Sequence, residues 1–458
     1  MGGALSGCLF ARHALLPQGW RRDVLLEWDA AGDLMAVTDN AVAPAGVEVA
    51  EYVLPGMVNL HSHAFQRALG GMTEVAGDGP DSFWTWRDLM YRFARHITPE
   101  QIEAIAAQLF AECLRHGYTA VCEFHYLQRD AAGALYARPA ETAERVLAAA
   151  SISGIGMTML PVLYSHAGFG EQPLKPEQGR FRTDADDVLR IVEALAPQRG
   201  GQVEVGFAPH SLRAASVVQI RAVAHALPAG RPIHIHVAEQ QGEVRQCVDY
   251  SGRRPVQYLY DQVDVDARWC LVHATHVQPD EVALMAASGA VAGLCPTTEA
   301  NLGDGLFPLA EFIAAGGRFG VGSDSHVSQS PVEELRWLEY GQRLQRQQRN
   351  VAATPDQRHV GDYLWQAALR GGAQASGRKL GALAPGCRAD LLVLDEVHVN
   401  LCGVAIENML GSVLFCGNDN LVRDVLCGGQ WQVRDGRHVA QDAIATAYKR
   451  TLAQLRAL

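Results

Sequence analysis

Lysine is nearly missing from this chain of 458 residues: it stands only at 175, 379 and 449, and every other basic residue is arginine. Basic side chains number 39 against 50 acidic ones, a formal charge of −11. That balance speaks against a nucleic-acid partner and against an anionic membrane surface. Arginine in an acidic protein suits local clamping of carboxylates instead, because guanidinium presents a planar two-donor fork. The ten cysteines form no C-x-x-C pair, which excludes a disulfide framework and a Cys-ligated zinc and points to a reduced compartment. No run of about 18 apolar residues occurs. The stretch Ala4-Leu5-Ser6-Gly7-Cys8 imitates a lipoprotein cleavage site, but no basic segment or long apolar run precedes it, so a soluble, cytoplasmic protein is expected. A Gly-rich dinucleotide or phosphate loop is also lacking.

What is present is core-forming material. At 48% hydrophobic and 19% charged residues, the chain is neither disordered, collagenous nor a coiled coil, and its length fits one elaborated barrel enzyme. Short strand-like runs with turn punctuation occupy roughly the first fifty residues and return after 385, so residues 1–54 and 385–458 are read as one small β-sandwich domain built from both chain ends, with a closing helix. Between them, residues 55–384 alternate apolar strand-like runs with helical stretches. Examples are 101–116 followed by 118–124, 184–195 followed by 203–208, and 279–288 followed by 291–295. With 53–60 as the first strand there are about eight such units, the pattern of a parallel (β/α)8 TIM-like barrel. Periodicity alone leaves an open doubly wound sheet as the alternative. Two Gly-, Pro- and aromatic-rich segments, 70–92 and 165–183, break the rhythm and are read as lid or binding loops.

Chemistry concentrates at strand ends. Leu60-His61-Ser62-His63 ends a strand in two histidines two residues apart, which a strand points to one side. Ile235-His236-Val237-Ala238-Glu239 ends another in His with Glu three residues on. Leu271-Val272-His273 and Gly322-Ser323-Asp324 end two more. The carboxyl end of a barrel is where such enzymes assemble their sites, and His/Asp donors suit Zn²⁺ or Fe²⁺ with a position left for water. His234, His276 and His326 are read as packing or backbone-satisfying residues, Arg67 as a solvated surface residue, and the Arg-rich run 343–349 as a solvated helix face.

With these motifs, and with Pro385-Gly386-Cys387-Arg388-Ala389-Asp390 returning to the small domain, nearly the whole chain resembles the amidohydrolase superfamily. Within it, the likeness is to the mononuclear deaminase branch and its formiminoglutamate-deiminating members. The resemblance implies metal ligands His61, His63, His236 and Asp324, and catalytic roles for Glu239, His273 and Asp324. It also implies one divalent ion, Zn²⁺ or Fe²⁺, since no candidate strand carries the lysine that bridges two metals in binuclear relatives. The implied substrate-binding set is Gln66, Arg87, Tyr126, His210 and Arg213, and the implied assembly a homodimer. The implied reaction turns N-formimino-L-glutamate, a small acidic molecule, into N-formyl-L-glutamate and ammonia: Asp324 takes a proton from water, His273 orients that water, and Glu239 passes a proton to the departing nitrogen. A neutral heterocycle would not require arginine at this rim, whereas a dicarboxylate would. Deamination of a guanine or adenosine derivative remains the alternative enzyme reading, and a metal-free scaffold the alternative from another class.

Overall fold

The computed structural model describes residues 5–76 and 83–457. Both chain ends build one eight-stranded sheet. Its N-terminal strands are Leu5–Leu16, Gly19–Asp29, Leu34–Thr38 and Val49–Pro55, and its C-terminal strands Leu391–Leu394, Val422–Cys427, Gln430–Arg434 and Arg437–His438. Val49–Pro55 joins the two groups, pairing parallel with Leu5–Leu16 and antiparallel with Leu391–Leu394. Alternate residues of these strands point inward, as strand geometry requires, and Leu9, Ala11, Val24, Leu26, Leu391 and Val393 share a core separate from that of the barrel.

The barrel strands are β1 (Met57–Ser62), β2 (Tyr118–His125), β3 (Gly156–Leu163), β4 (Val203–Val205, continued by Ala208–Pro209), β5 (Ile233–Val237), β6 (Trp269–His273), β7 (Val291–Leu294) and β8 (Arg318–Val321). Nearly every residue in them is buried, as expected for a parallel sheet covered on both faces. Pairing runs β1 to β4 and β5 to β8. Two seams close the ring. At one, Phe207 N donates to Pro232 O and His234 N to Phe207 O, both at 3.1 Å. At the other, Asp324 N donates to His61 O at 3.0 Å and His63 N to Asp324 O at 3.3 Å. The second seam therefore runs through three residues that the sequence marks as metal donors.

The expected first strand, 53–60, is two strands. It divides at Gly56, where a Cβ would lie 2.3 Å from the Thr119 side chain, so the chain can turn there from the end-domain sheet into the barrel. Outside the second seam lies the helix Val360–Ser376. It approaches so closely that a Cβ at Gly371 would sit 1.9 Å from Phe319 O. The helix Pro99–His116 starts in a capping box at Thr98 and stops at Gly117 in the left-handed conformation, the start and stop signals its sequence carries.

Candidate active site

All predicted donors meet at the carboxyl end of the barrel. His61 Nε2 lies 3.1 Å from His63 Nε2 and 2.9 Å from His236 Nε2. Asp324 Oδ1 lies 3.2 Å from His63 Nε2 and 3.6 Å from His61 Nε2. His63 Nδ1 faces Phe124 O and His236 Nδ1 faces His210 O, each at 2.9 Å. A carbonyl can only accept, so each Nδ1 carries the hydrogen and each Nε2 turns a lone pair inward. His61 Nδ1 is buried without a partner among the described residues. Burial and the neighbouring imidazoles push His61 and His236 well below the usual histidine range, so they are neutral donors. A proton on one Nε2 would satisfy a single pair, whereas one cation satisfies the whole group. Tetrahedral ligands about 2.1 Å from a metal stand about 3.4 Å apart, close to the spacings seen. The donor set fits one divalent metal ion.

Buried partners fix the strand ends that carry these donors. Glu123 of β2 accepts from Ser62 Oγ at 2.5 Å and from Ala64 N at 2.7 Å, on either side of His63. Asn59 exchanges hydrogen bonds with Ser323, its Nδ2 reaching Ser323 Oγ at 2.6 Å and its Oδ1 accepting from Ser323 N at 2.9 Å. Left-handed backbone at non-glycine residues gathers here too, at Ala238, His273, Ala274, Asp324 and His326, a costly conformation characteristic of functional sites.

Beyond the donors, His273 Nε2 lies 3.8 Å from Glu239 Oε1 and 3.7 Å from Asp324 Oδ2, and its Nδ1 is 3.3 Å from Glu299 Oε1. Burial disfavours a charged His273, but Glu239, Glu299 and Asp324 around it outweigh burial and raise it to about 10. Burial pushes Glu239 up to about 7, against the pull of His273 and Arg213. Burial likewise works against the Asp324 carboxylate, yet His63 and His273 hold it below the usual range. One carboxyl poised near neutrality beside one held ionised is the division of labour that general acid and base chemistry needs.

Gln66, Arg87, Tyr126, His210 and Arg213 line the same cavity as His63, His236, Glu239, His273 and Asp324. Gln66 Nε2 donates to Tyr126 Oη at 2.8 Å. The Arg87 and Arg213 guanidiniums stand 4.5 and 5.7 Å from the Trp84 ring centre. Neither arginine forms an ion pair among the described residues, and the Nε of each is buried without a partner. Burial, together with Arg213, pushes His210 well below the usual range, so His210 is neutral. A cavity that joins two guanidiniums without an ion pair among the described residues to a metal-type donor set suits a small acidic molecule.

Several expectations need correction or completion. The segment 70–92 is not a loop throughout: Phe83–Ala94 is a helix, while 77–82 lie outside the described residues. Phe83, Arg87, Met90 and Tyr91 share one helical face and line the cavity. In segment 165–183, Pro176–Phe181 forms a 3-10 turn that delivers Phe181 to the cavity. Arg67 is no solvated surface residue, because Glu112 on the helix Pro99–His116 lies within reach: Arg67 Nε and Nη2 donate to its carboxylate at 2.7 and 3.1 Å. His234 Nε2 meets Ala375 O at 2.8 Å, His326 lies between Ser323 and Ser62, and His276 Nδ1 meets Gln241 Nε2 at 2.9 Å. Glu123, Glu299, Tyr91 and Tyr164 complete the site without having been marked in the sequence. The only signal for Glu123 is a carboxylate inside a mostly apolar strand.

The amidohydrolase family profile matches residues 52–432. A formimidoylglutamate deiminase from Pseudomonas aeruginosa is 54% identical over 448 residues, covering 98% of this chain and 99% of its own. The crystal structure of an amidohydrolase from Brucella melitensis superposes with a TM-score of 0.93 at 43% identity, covering 98% of this chain and all of its own. A zinc-bound adenosine deaminase from Xanthomonas campestris has a TM-score of 0.81 at 20% identity, both chains being covered in full, a likeness of fold.

Proposed function

This chain belongs to the amidohydrolase family, and on that premise we propose that it hydrolyses N-formimino-L-glutamate to N-formyl-L-glutamate and ammonia. The observation that carries the reading is that Arg87 and Arg213, which form no ion pair among the described residues and whose Nε atoms are buried without a partner there, share one cavity with the donors His63, His236 and Asp324. The 54% identity to the Pseudomonas deiminase supports the same substrate.

His61, His63, His236 and Asp324 would hold the ion, proposed as Zn²⁺ with Fe²⁺ as the alternative. When bound, a divalent ion supplies a water whose pKa is brought toward neutrality. Arg213 and Arg87 bind the glutamyl carboxylates, with Gln66, Tyr126 and His210 supplying polar contacts, and so keep the formimino end at the donors. Asp324 takes the first proton from the water, and His273 orients it. The water oxygen bonds to the amidine carbon, the terminal C–N bond breaks, and two protons reach the departing nitrogen, one carried by Glu239 and the other given back by Asp324. Both hydrogens of the water leave with ammonia.

The same proposal includes a cytoplasmic homodimer, as the resemblance implies, and the division at 54/55 and 384/385. Among the described residues no helix is long and apolar enough to cross a membrane. The test is ammonia release from a panel of formimino-amino acids, guanine and adenosine. Turnover of formiminoglutamate far above the heterocycles is expected, and a preference for a heterocycle would overturn the reading.

A further inference from the structure

Glu299 lies in the first turn of the short helix Pro296–Leu302 that follows β7, and it is 95% buried. Its Oε1 accepts from Cys295 N at 2.9 Å, and that same oxygen stands 3.3 Å from His273 Nδ1. Capping alone does not account for this arrangement. The next free amide of the helix, Thr297 N, is already served by Glu334 Oε2 at 2.9 Å, and Thr297 Oγ1 by Glu334 Oε1 at 2.6 Å. His273, for its part, leaves its strand with φ +66 and is followed by Ala274 at φ +47. Ordinary strand geometry therefore does not aim this ring, and a side-chain partner has to.

We propose that Glu299 is a positioning residue for the reaction: its Oε1, held in place by the Cys295 amide, fixes the His273 ring so that Nε2 faces the gap between Glu239 and Asp324. Nδ1 becomes the nitrogen that donates to Glu299, and Nε2 the one turned to the site, with Glu239 at 3.8 Å and Asp324 at 3.7 Å. An acceptor behind an imidazole, setting its orientation, is a recurring arrangement in active sites. The atom between Cys295 N and His273 Nδ1 must accept from both. A carboxylate or an amide oxygen can do that; a thioether in the same volume is a much weaker acceptor.

The inference rests on the role given to His273 in the proposed deimination. Glu299→Met and Glu299→Gln test it, since both keep the length of the side chain and only Gln keeps the oxygen. Expected for Glu299→Met is a kcat lowered on the order of 10–100-fold, with KM and metal content unchanged and the ring rotated in its crystal structure. Glu299→Gln should recover most of the lost kcat with the parental ring orientation. A Met variant with parental kcat, or one whose loss lies in KM or in metal content, overturns the proposal, as does a Gln variant as impaired as Met. If Glu299→Met does not fold, a rotated His273 ring in the Gln crystal structure overturns it and an unmoved one supports it. Should the parent itself not turn over formiminoglutamate, the functional reading fails, and ring orientation in the two variants still decides the role of Glu299.

Discussion

His61 and His236 lie 175 positions apart in the chain, yet their Nε2 atoms stand 2.9 Å from one another. His236 Nδ1 is committed to a carbonyl, so its lone pair points at a second ring nitrogen, a contact that only a proton or a cation makes favourable.

Metal removal should therefore abolish turnover and lower the thermal midpoint, because an ion that binds only the folded chain stabilises it. The one-site donor set predicts about one metal per chain, measurable by elemental analysis. Asp324→Asn should fold and be inactive. Two tightly held ions per active chain would contradict the single-site account.

Arg213 should matter for acidic substrates far more than for neutral ones. Arg213→Met is expected to cost on the order of 2–5 kcal/mol in apparent transition-state binding, the usual penalty for stranding a buried charge. Steady-state kcat/KM on formiminoglutamate measures it. Parental kcat/KM in this variant would place the carboxylate clamp elsewhere.

Much of this site was legible because several barrel strands are short, largely apolar runs that end at or just before a polar residue: 233–237 stops beside Glu239, 269–273 at His273, and 318–321 just before Asp324. Strand ends can be read from such stops one at a time. Less legible was what connects them. Glu123 and Glu299 act on residues 61 and 26 positions away, and no local pattern announces such partners. The helix Phe83–Ala94 was hidden behind Gly and Pro neighbours that signal a loop. The helix Gln241–Ser251 buries only Glu243, Val244 and Cys247, too few apolar positions for a period to emerge. The split at Gly56 depends on Thr119, a contact across strands.

Acid should destabilise the fold partly through His125, whose Nε2 meets Thr142 Oγ1 at 3.0 Å. Burial, with Arg180 nearby, lowers its pKa to about 3. The unfolded chain binds this proton near pH 6.5 and the folded one only near 3, so stability falls as pH drops through that window, by about 1.4 kcal/mol per unit. Between pH 7 and 5, denaturant unfolding of the parent should lose about 2 kcal/mol more than that of His125→Gln. Equal losses would show that His125 protonates freely in the folded chain.

Glu239 is assigned to proton transfer and not to holding the ion. Glu239→Gln should keep its metal and lose turnover, as elemental analysis and an ammonia assay on the same sample would show. Loss of metal would make Glu239 a ligand.

The fate of the two amidine nitrogens tests the account most directly. Hydration of the formimino carbon can release ammonia and leave N-formylglutamate, or release glutamate and leave formamide, depending on which nitrogen is protonated. On the proposed roles, Arg213 and Arg87 hold the glutamyl end away from the donors and Glu239 serves the terminal nitrogen. Proton NMR of the reaction mixture distinguishes the two formyl hydrogens, and a coupled assay counts ammonia independently. The account predicts N-formylglutamate and ammonia in equal amounts; accumulation of glutamate and formamide would contradict it.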